Sequence, residues 1–186
     1  MRVIFLALYL SISFSASAQQ SQFDVRKVKW GMTQAQVLRS ESIKPGRVTK
    51  SVISYVTRIN GYPATIGYSF SGSRLHQVLY HFYRKHTSNN LYLEDFFSVS
   101  NTINKKYGEP IKTTTKWEND VYKDDAKMWG LAIAIGYLRI SNFWKTDRTV
   151  LSQVIGGDNF EVEHYVVYMS KEKALGLVGD ESEVEF

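Results

Sequence analysis

At 186 residues without a single cysteine, the chain excludes disulfides and thiolate metal sites, so a hydrophobic core alone must hold it together. Its 44% hydrophobic and 14% aromatic content is enough for one compact domain or two small halves sharing a core. The net charge of +5 would ordinarily suggest a polyanion, yet no helix-turn-helix, zinc-finger or aromatic RNA-binding pattern occurs, and nucleic acid is excluded as a partner.

The chain opens on Arg2, continues through an apolar run over residues 3–14 and closes on the small residues Ala16-Ser17-Ala18. That order is the signature of a cleavable export signal over residues 1–18, with the mature protein starting at Gln19. A membrane-spanning anchor is the rival reading, but it needs roughly 20 apolar residues. Here Ser11, Ser13 and Ser15 interrupt the run, so no transmembrane helix is expected in the mature chain. No Cys follows to carry a lipid and no asparagine sequon occurs, which places the mature protein in a bacterial periplasm or medium.

Thr33 and Gln36 have the spacing of a capping box, and Met32 with Val37 that of a hydrophobic staple, so a helix runs from Gln34 to about Glu41. Next comes a β-meander. A two-residue turn at Asn60-Gly61 sets Ile59 opposite Tyr62, Thr57 opposite Ala64, Tyr55 opposite Ile66 and Ile53 opposite Tyr68, all on a core face. The other face pairs Arg58 with Pro63, Val56 with Thr65, Ser54 with Gly67 and Val52 with Ser69. A three-residue loop at Ser71-Gly72-Ser73 then keeps Val78, Tyr80 and Phe82 inward and turns Gln77, His81 and Tyr83 outward.

Leu93, Phe96, Phe97, Ile103 and Tyr107 form one stripe of a second helix, with Lys105 and Lys106 in its last turn and Gly108 and Pro110 beyond its end. Strands are expected at 112–118, near 128–145, at 149–155 and at 160–170, with a polar turn at Asp124-Asp125 and another over residues 156–159. The fold class is therefore α+β: a helix followed by an antiparallel meander, twice in tandem, helices packed on one face of the sheet. The units would be residues 19–86 and 87–170, followed by an acidic flexible tail over 171–186. A single continuous α+β domain without duplication is the other reading of the same order.

Charge is unevenly distributed. Residues 19–86 carry 11 Lys and Arg against Asp24 and Glu41, residues 87–170 carry 9 against 11 acidic, and the tail 2 against 5. Such a first half suits an anionic partner, whether lipid headgroup, wall polymer or acidic protein. A solvated basic face neutralised by the second half accounts for the same counts.

Patterns with chemical meaning are few. His76 and His81 have odd spacing and face opposite sides of a strand, and neither H-x-H nor H-E-x-x-H occurs with His86 or His164, so nothing calls for a metal or a cofactor. The segment from Gly67 to Ser71 misses the G-x-S-x-G elbow in its last position, and Ser170-x-x-Lys173 lacks the companion motifs of penicillin-binding enzymes. Glu161 and Glu163 share one face of a late strand, where a charged sheet edge is the default reading. The four tryptophans read as core rather than as a sugar platform.

Trp30-Gly31-Met32-Thr33 with Val37 and Glu41, then Tyr68-x-Phe70, Leu75, Tyr80-x-Phe82, Lys106-Tyr107-Gly108-x-Pro110 and Trp117, resembles a group of exported bacterial proteins of unknown function. More distantly, Gly31-Met32-Thr33-x-x-x-Val37 is similar to the opening of the SmpA/OmlA (BamE-type) outer-membrane assembly lipoproteins, whose helix-then-meander fold recurs in tandem in the β-lactamase inhibitor protein. The resemblance implies fold and supplies no catalytic residue.

Binding is thus preferred over catalysis. The expectation is an exported envelope module that binds a protein or an anionic envelope component through Arg58, Gln77, His81 and Tyr83, with Arg84 and Lys85 beside them. A small periplasmic hydrolase of cell-wall or glycan substrates is the alternative, and a polar cleft collecting carboxylates or His would favour it.

Overall fold

The computed structural model describes residues 23–178; the expected export signal, and the tail beyond 178, lie outside them. Thr33 accepts from the Gln36 amide while the Gln36 side chain accepts from the Thr33 amide, and the helix α1 (Gln34–Ser40) starts there as the capping box requires. Met32 and Val37 both pack into the core, completing the staple. Glu41 ends α1, and its carboxylate receives the Arg26 guanidinium at 3.1 and 3.2 Å and the Tyr68 hydroxyl. The motif residues of the opening are thereby accounted for: they cap a helix and tie it to the sheet.

Strands β1 (Arg47–Val48), β2 (Val52–Ile59), β3 (Tyr62–Ser71) and β4 (Arg74–Phe82) follow, with the β2–β3 register that the Asn60-Gly61 turn dictates. Both turn residues have positive φ, 50° and 84°, the geometry that matches a hairpin's right-handed twist. Between β3 and β4 the turn is shorter than expected. Ser71 pairs with Arg74 across a two-residue turn, and the odd residue is absorbed by a bulge that leaves His76 without a partner on β3. The outcome for the faces is the same, with Val78, Tyr80 and Phe82 buried.

The helix α2 (Asn90–Tyr107) begins earlier than its apolar stripe suggests. That stripe is Leu93, Phe96, Val99, Ser100 and Ile103; Phe97 is off it and 48% exposed. After β5 (Lys112–Trp117) come two short 3₁₀ turns and the helix α3 (Trp129–Ala134), which corrects the strand expected near 128–145. Gly130, Ala132, Ile133 and Ala134 are all buried, and a short segment buried all round has no period to distinguish helix from strand. β6 (Leu138–Lys145), β7 (Thr149–Asp158) and β8 (Glu161–Ser170) complete the sheet. Gly156 and Gly157 belong to β7, and the turn is Asn159-Phe160 rather than the glycine pair. The first part of the segment assigned to the tail forms α4 (Lys171–Val178), where Ala174 is buried.

The protein is α+β, with four α-helices among the described residues and one eight-stranded antiparallel sheet in the order β1-β2-β3-β4-β8-β7-β6-β5. One core cluster joins Val37, Ile53, Tyr55, Ile66, Tyr68, Val99 and Ile103 with Trp144, Leu151 and Val166. A second joins Leu93 and Phe96 with Ile133, Leu138, Ile140 and Ile155. No helix among the described residues is long and apolar enough to cross a membrane.

Candidate functional site

Strand alternation sends every second side chain away from these two clusters. Across the middle of that other face, Gly67, Leu79, Val167, Ser152 and Phe143 lie side by side; the neighbouring row runs Val56, Thr65, His81, Tyr165, Val154 and Ser141. None of these residues is fully buried, and Val56 is 69% exposed. The face is built from small, apolar and hydroxyl side chains, with charge at its margins.

His81 and Tyr165 are cross-strand partners whose rings stack with centroids 4.8 Å apart. Nε2 of His81 lies 2.9 Å from Glu163, and the Tyr165 hydroxyl donates to the same carboxylate. Burial first, and then that hydrogen bond, push the Tyr165 hydroxyl up to about 12, so it remains a donor at any physiological pH. The Tyr83 ring sits 6.2 Å from His81, and Tyr83 is 40% exposed. Beside this cluster opens a shallow hollow of about 560 Å³, lined by Arg139, Val154, Gly156, Gly157, Asp158, Asn159, Glu161, Glu163 and Tyr165.

Gln77 and His81 lie two rows apart on this face, paired with Ser69 and Thr65 on one side and Met169 and Tyr165 on the other. Arg58 bonds back to the Gly61 carbonyl at the tip of its own hairpin. Arg84 and Lys85 are engaged elsewhere: Arg84 faces Asp95 at 3.6 Å and lies over the Tyr62 ring, while Lys85 holds Glu161 at 2.5 Å. Their charge is therefore neutralised by residues of the second half of the chain.

Sequence reasoning missed Glu163 and Tyr165 as neighbours of His81, and Glu161 and Arg139 as lining of the hollow beside them. Glu161 and Glu163 lie where β8 runs past the end of its pairing with β4, which stops at Phe82–His164; Glu163 meets His81 of β4 and Glu161 meets Lys85 just beyond that strand. The same-face spacing of Glu161 and Glu163 was the available signal; which strand they would meet was not in it. The remaining histidines occupy separate environments. His76 is the bulge residue, with a buried Nδ1 that has no partner; His86 lies 2.7 Å from Asp95; His164 is buried against Phe82 and Gln153. Among the described residues no group of three His, Asp or Glu is placed to hold a metal ion. Trp144 is core, whereas Trp30, Trp117 and Trp129 are half-buried, the latter two meeting edge to face at 5.7 Å.

No family model, curated protein or solved structure matches the chain.

Proposed function

We propose that the protein is an exported module of the bacterial envelope that binds a protein or an anionic component, and that the partner meets the sheet face around His81, Tyr83 and Tyr165. The observation that carries this reading is the face itself. Rows of partly exposed apolar and small side chains run across several strands, the stacked His81–Tyr165 pair sits within one of them and charge lies at the margins, which is the composition of a contact surface: an apolar, aromatic centre with a polar rim. The signal-like first 18 residues support export, and the similarity of Gly31-Met32-Thr33-x-x-x-Val37 to the opening of envelope assembly lipoproteins supports a helix-then-meander fold. The repeated helix-then-strands order supports a tandem architecture whose helices cover one face and leave the other to the partner.

The hydrolase reading draws on Asp158, Glu161 and Glu163 around one hollow. A general acid, however, needs a carboxyl kept protonated by burial. The side chains of Glu161 and Glu163 are 73% and 48% exposed and each is held by a cationic or hydrogen-bonding neighbour. Binding is the better account.

The test is affinity capture from periplasmic extract, identification of the partner by mass spectrometry, and titration of that partner against Val56→Glu and His81→Ala/Tyr83→Ala variants. Each variant should weaken binding at least tenfold with its melting temperature preserved, and Phe97→Ala, away from this face, should not. Unchanged affinity in both face variants removes this surface as the site.

A further inference from the structure

We propose that the sheet edge made by α1, β1 and the loop between them is a second binding surface, one that docks on an anionic lipid membrane. Within eleven residues it exposes three aliphatic side chains, Leu38, Ile43 and Val48, at 37%, 38% and 50%. Among and just beyond them are Arg39, Lys44, Arg47 and Lys50, all four exposed, and none of the four has an ion pair among the described residues.

The fold brings these residues together. Gln34 and Leu38 are one helical turn apart and share a face of α1. The Gln34 amide donates to the carbonyls of Thr49 and Lys50 at 2.8 and 3.0 Å, so this face of α1 is turned toward the β1–β2 turn and Leu38 follows it. Val48 pairs with Ile53, a core-facing residue, and therefore points to the same side of β1 as the helix. Arg47, opposite Ser54, points to the other side. Aliphatic knobs with cations around them thus end the sheet at β1.

The chemistry selects lipid over protein. Protein hot spots are aromatic or Arg anchors seated in matching pockets, with their charges paired on the partner. Here the anchors are aliphatic and the cations sit on flexible stems, the pattern of interfacial segments that insert apolar side chains between acyl chains while Lys and Arg stay at headgroup level. Each basic side chain near an anionic bilayer strengthens binding roughly fivefold. This surface is independent of the sheet face around His81.

Sedimentation of the whole protein with vesicles tests it, using phosphatidylglycerol mixed into phosphatidylcholine against phosphatidylcholine alone. Parent and variants carry the same N-terminal residues, so any contribution of the apolar run over residues 3–14 and of Arg2 is common to all of them and the differences between them report on this surface. Preferential binding to the anionic vesicles is expected, weakened by salt because exposed charges are screened. The Arg39→Glu/Lys44→Glu/Arg47→Glu/Lys50→Glu variant should lose more than tenfold, and Leu38→Gln/Ile43→Gln should lose several-fold with its charge intact. His81→Ala/Tyr83→Ala should bind vesicles like the parent, which separates failure of this surface from failure of the sheet-face reading. Equal binding to both vesicle types, an unchanged Leu38→Gln/Ile43→Gln variant, or binding to polyglutamate as tight as to anionic vesicles would each overturn the proposal, the last in favour of an acidic protein.

Discussion

His164 is a titratable group that the fold keeps neutral. Gln153 Nε2 donates to the Phe96 carbonyl, which fixes the orientation of the amide, and its second hydrogen points at His164 Nε2, 3.0 Å away. His164 therefore accepts there and carries its proton on Nδ1. Burial, with the nearby His81 adding to it, lowers its pKa from 6.5 to about 3. Across that window the unfolded chain binds a proton that the folded chain does not, so stability present above pH 6.5 is lost as pH falls toward 3. Between pH 7 and pH 5 this single group should remove about 2 kcal/mol. Urea titrations at both pH values should show that difference shrinking by this amount in His164→Leu; an identical difference in parent and variant would mean that the ring is not the buried neutral group described. Phe160 makes a second argument at this scale. It holds φ of 64° in the β7–β8 turn and is 63% exposed, so its backbone is strained without compensating burial. Phe160→Gly should raise stability by about 1 kcal/mol in denaturant melts; a loss would show that the ring is packed.

At the scale of elements, α2 and α3 approach closely at Gly130. The Asn90 side chain accepts from the Gly130 amide and donates to the Lys127 carbonyl, clamping the start of α3 to the start of α2. A Cβ on Gly130 would lie 2.4 Å from Asn90 Oδ1 and 2.5 Å from the Asn89 carbonyl carbon, and backbone cannot swing aside as a side chain can. Gly130→Ala should cost about 2–3 kcal/mol by separating the two helices. Gly176→Ala on α4 meets nothing within 4 Å and should be neutral or slightly stabilising. Equal effects of the two substitutions on the urea midpoint would refute the clamp.

Elements written in local signals were legible in the sequence. Thr33 and Gln36 encode their cap within four residues, and Asn60-Gly61 encodes both a turn and the register of the strands it joins. What depends on distant neighbours was not. Trp129–Ala134 is apolar on every side because β6, β7 and α2 surround it, so its sequence carries no helical period. His76 is a bulge because β3 and β4 meet through a turn one residue shorter than their faces require, and Phe160 occupies a turn position where glycine would announce the hairpin. The candidate site failed to show for the same reason. His81, Tyr83 and their outward direction follow from the hairpin, but Glu163 and Tyr165 reach His81 only through the pairing of β4 with β8, between residues far apart in the chain.

That pairing decides how the whole molecule should unfold. Strands β1 to β4 and β5 to β8 are each contiguous in the sheet, and two independent units would be joined by a polar, weakly packed boundary. The boundary here is a strand pair running from Gln77–Met169 to Phe82–His164, with Val78, Tyr80, Val166 and Tyr168 buried along it. α2 spans it as well, giving Val99 and Ile103 to one core cluster and Leu93 and Phe96 to the other. Trp144 and Leu151, from β6 and β7, pack in the same cluster as Ile53 and Ile66. Beneath α2, Ser100 donates to Gln153 and accepts from Asn142, and Gln153 reaches His164, so β6, β7 and β8 are bound to that helix by buried hydrogen bonds. Opening either meander alone would expose half of a shared core, and opening the second would also strand these polar groups. The molecule should therefore unfold in one step. Native-state hydrogen exchange is the sharpest measurement: amides of Ile53 and Ile66 in the first meander and of Ile140 and Leu151 in the second should exchange through a common opening, with one free energy and one urea dependence. A first meander that opens several kcal/mol below the second, with a smaller urea slope, would show two units that happen to touch, and the sheet face around His81, which needs both, would then be a surface that comes apart before the protein unfolds.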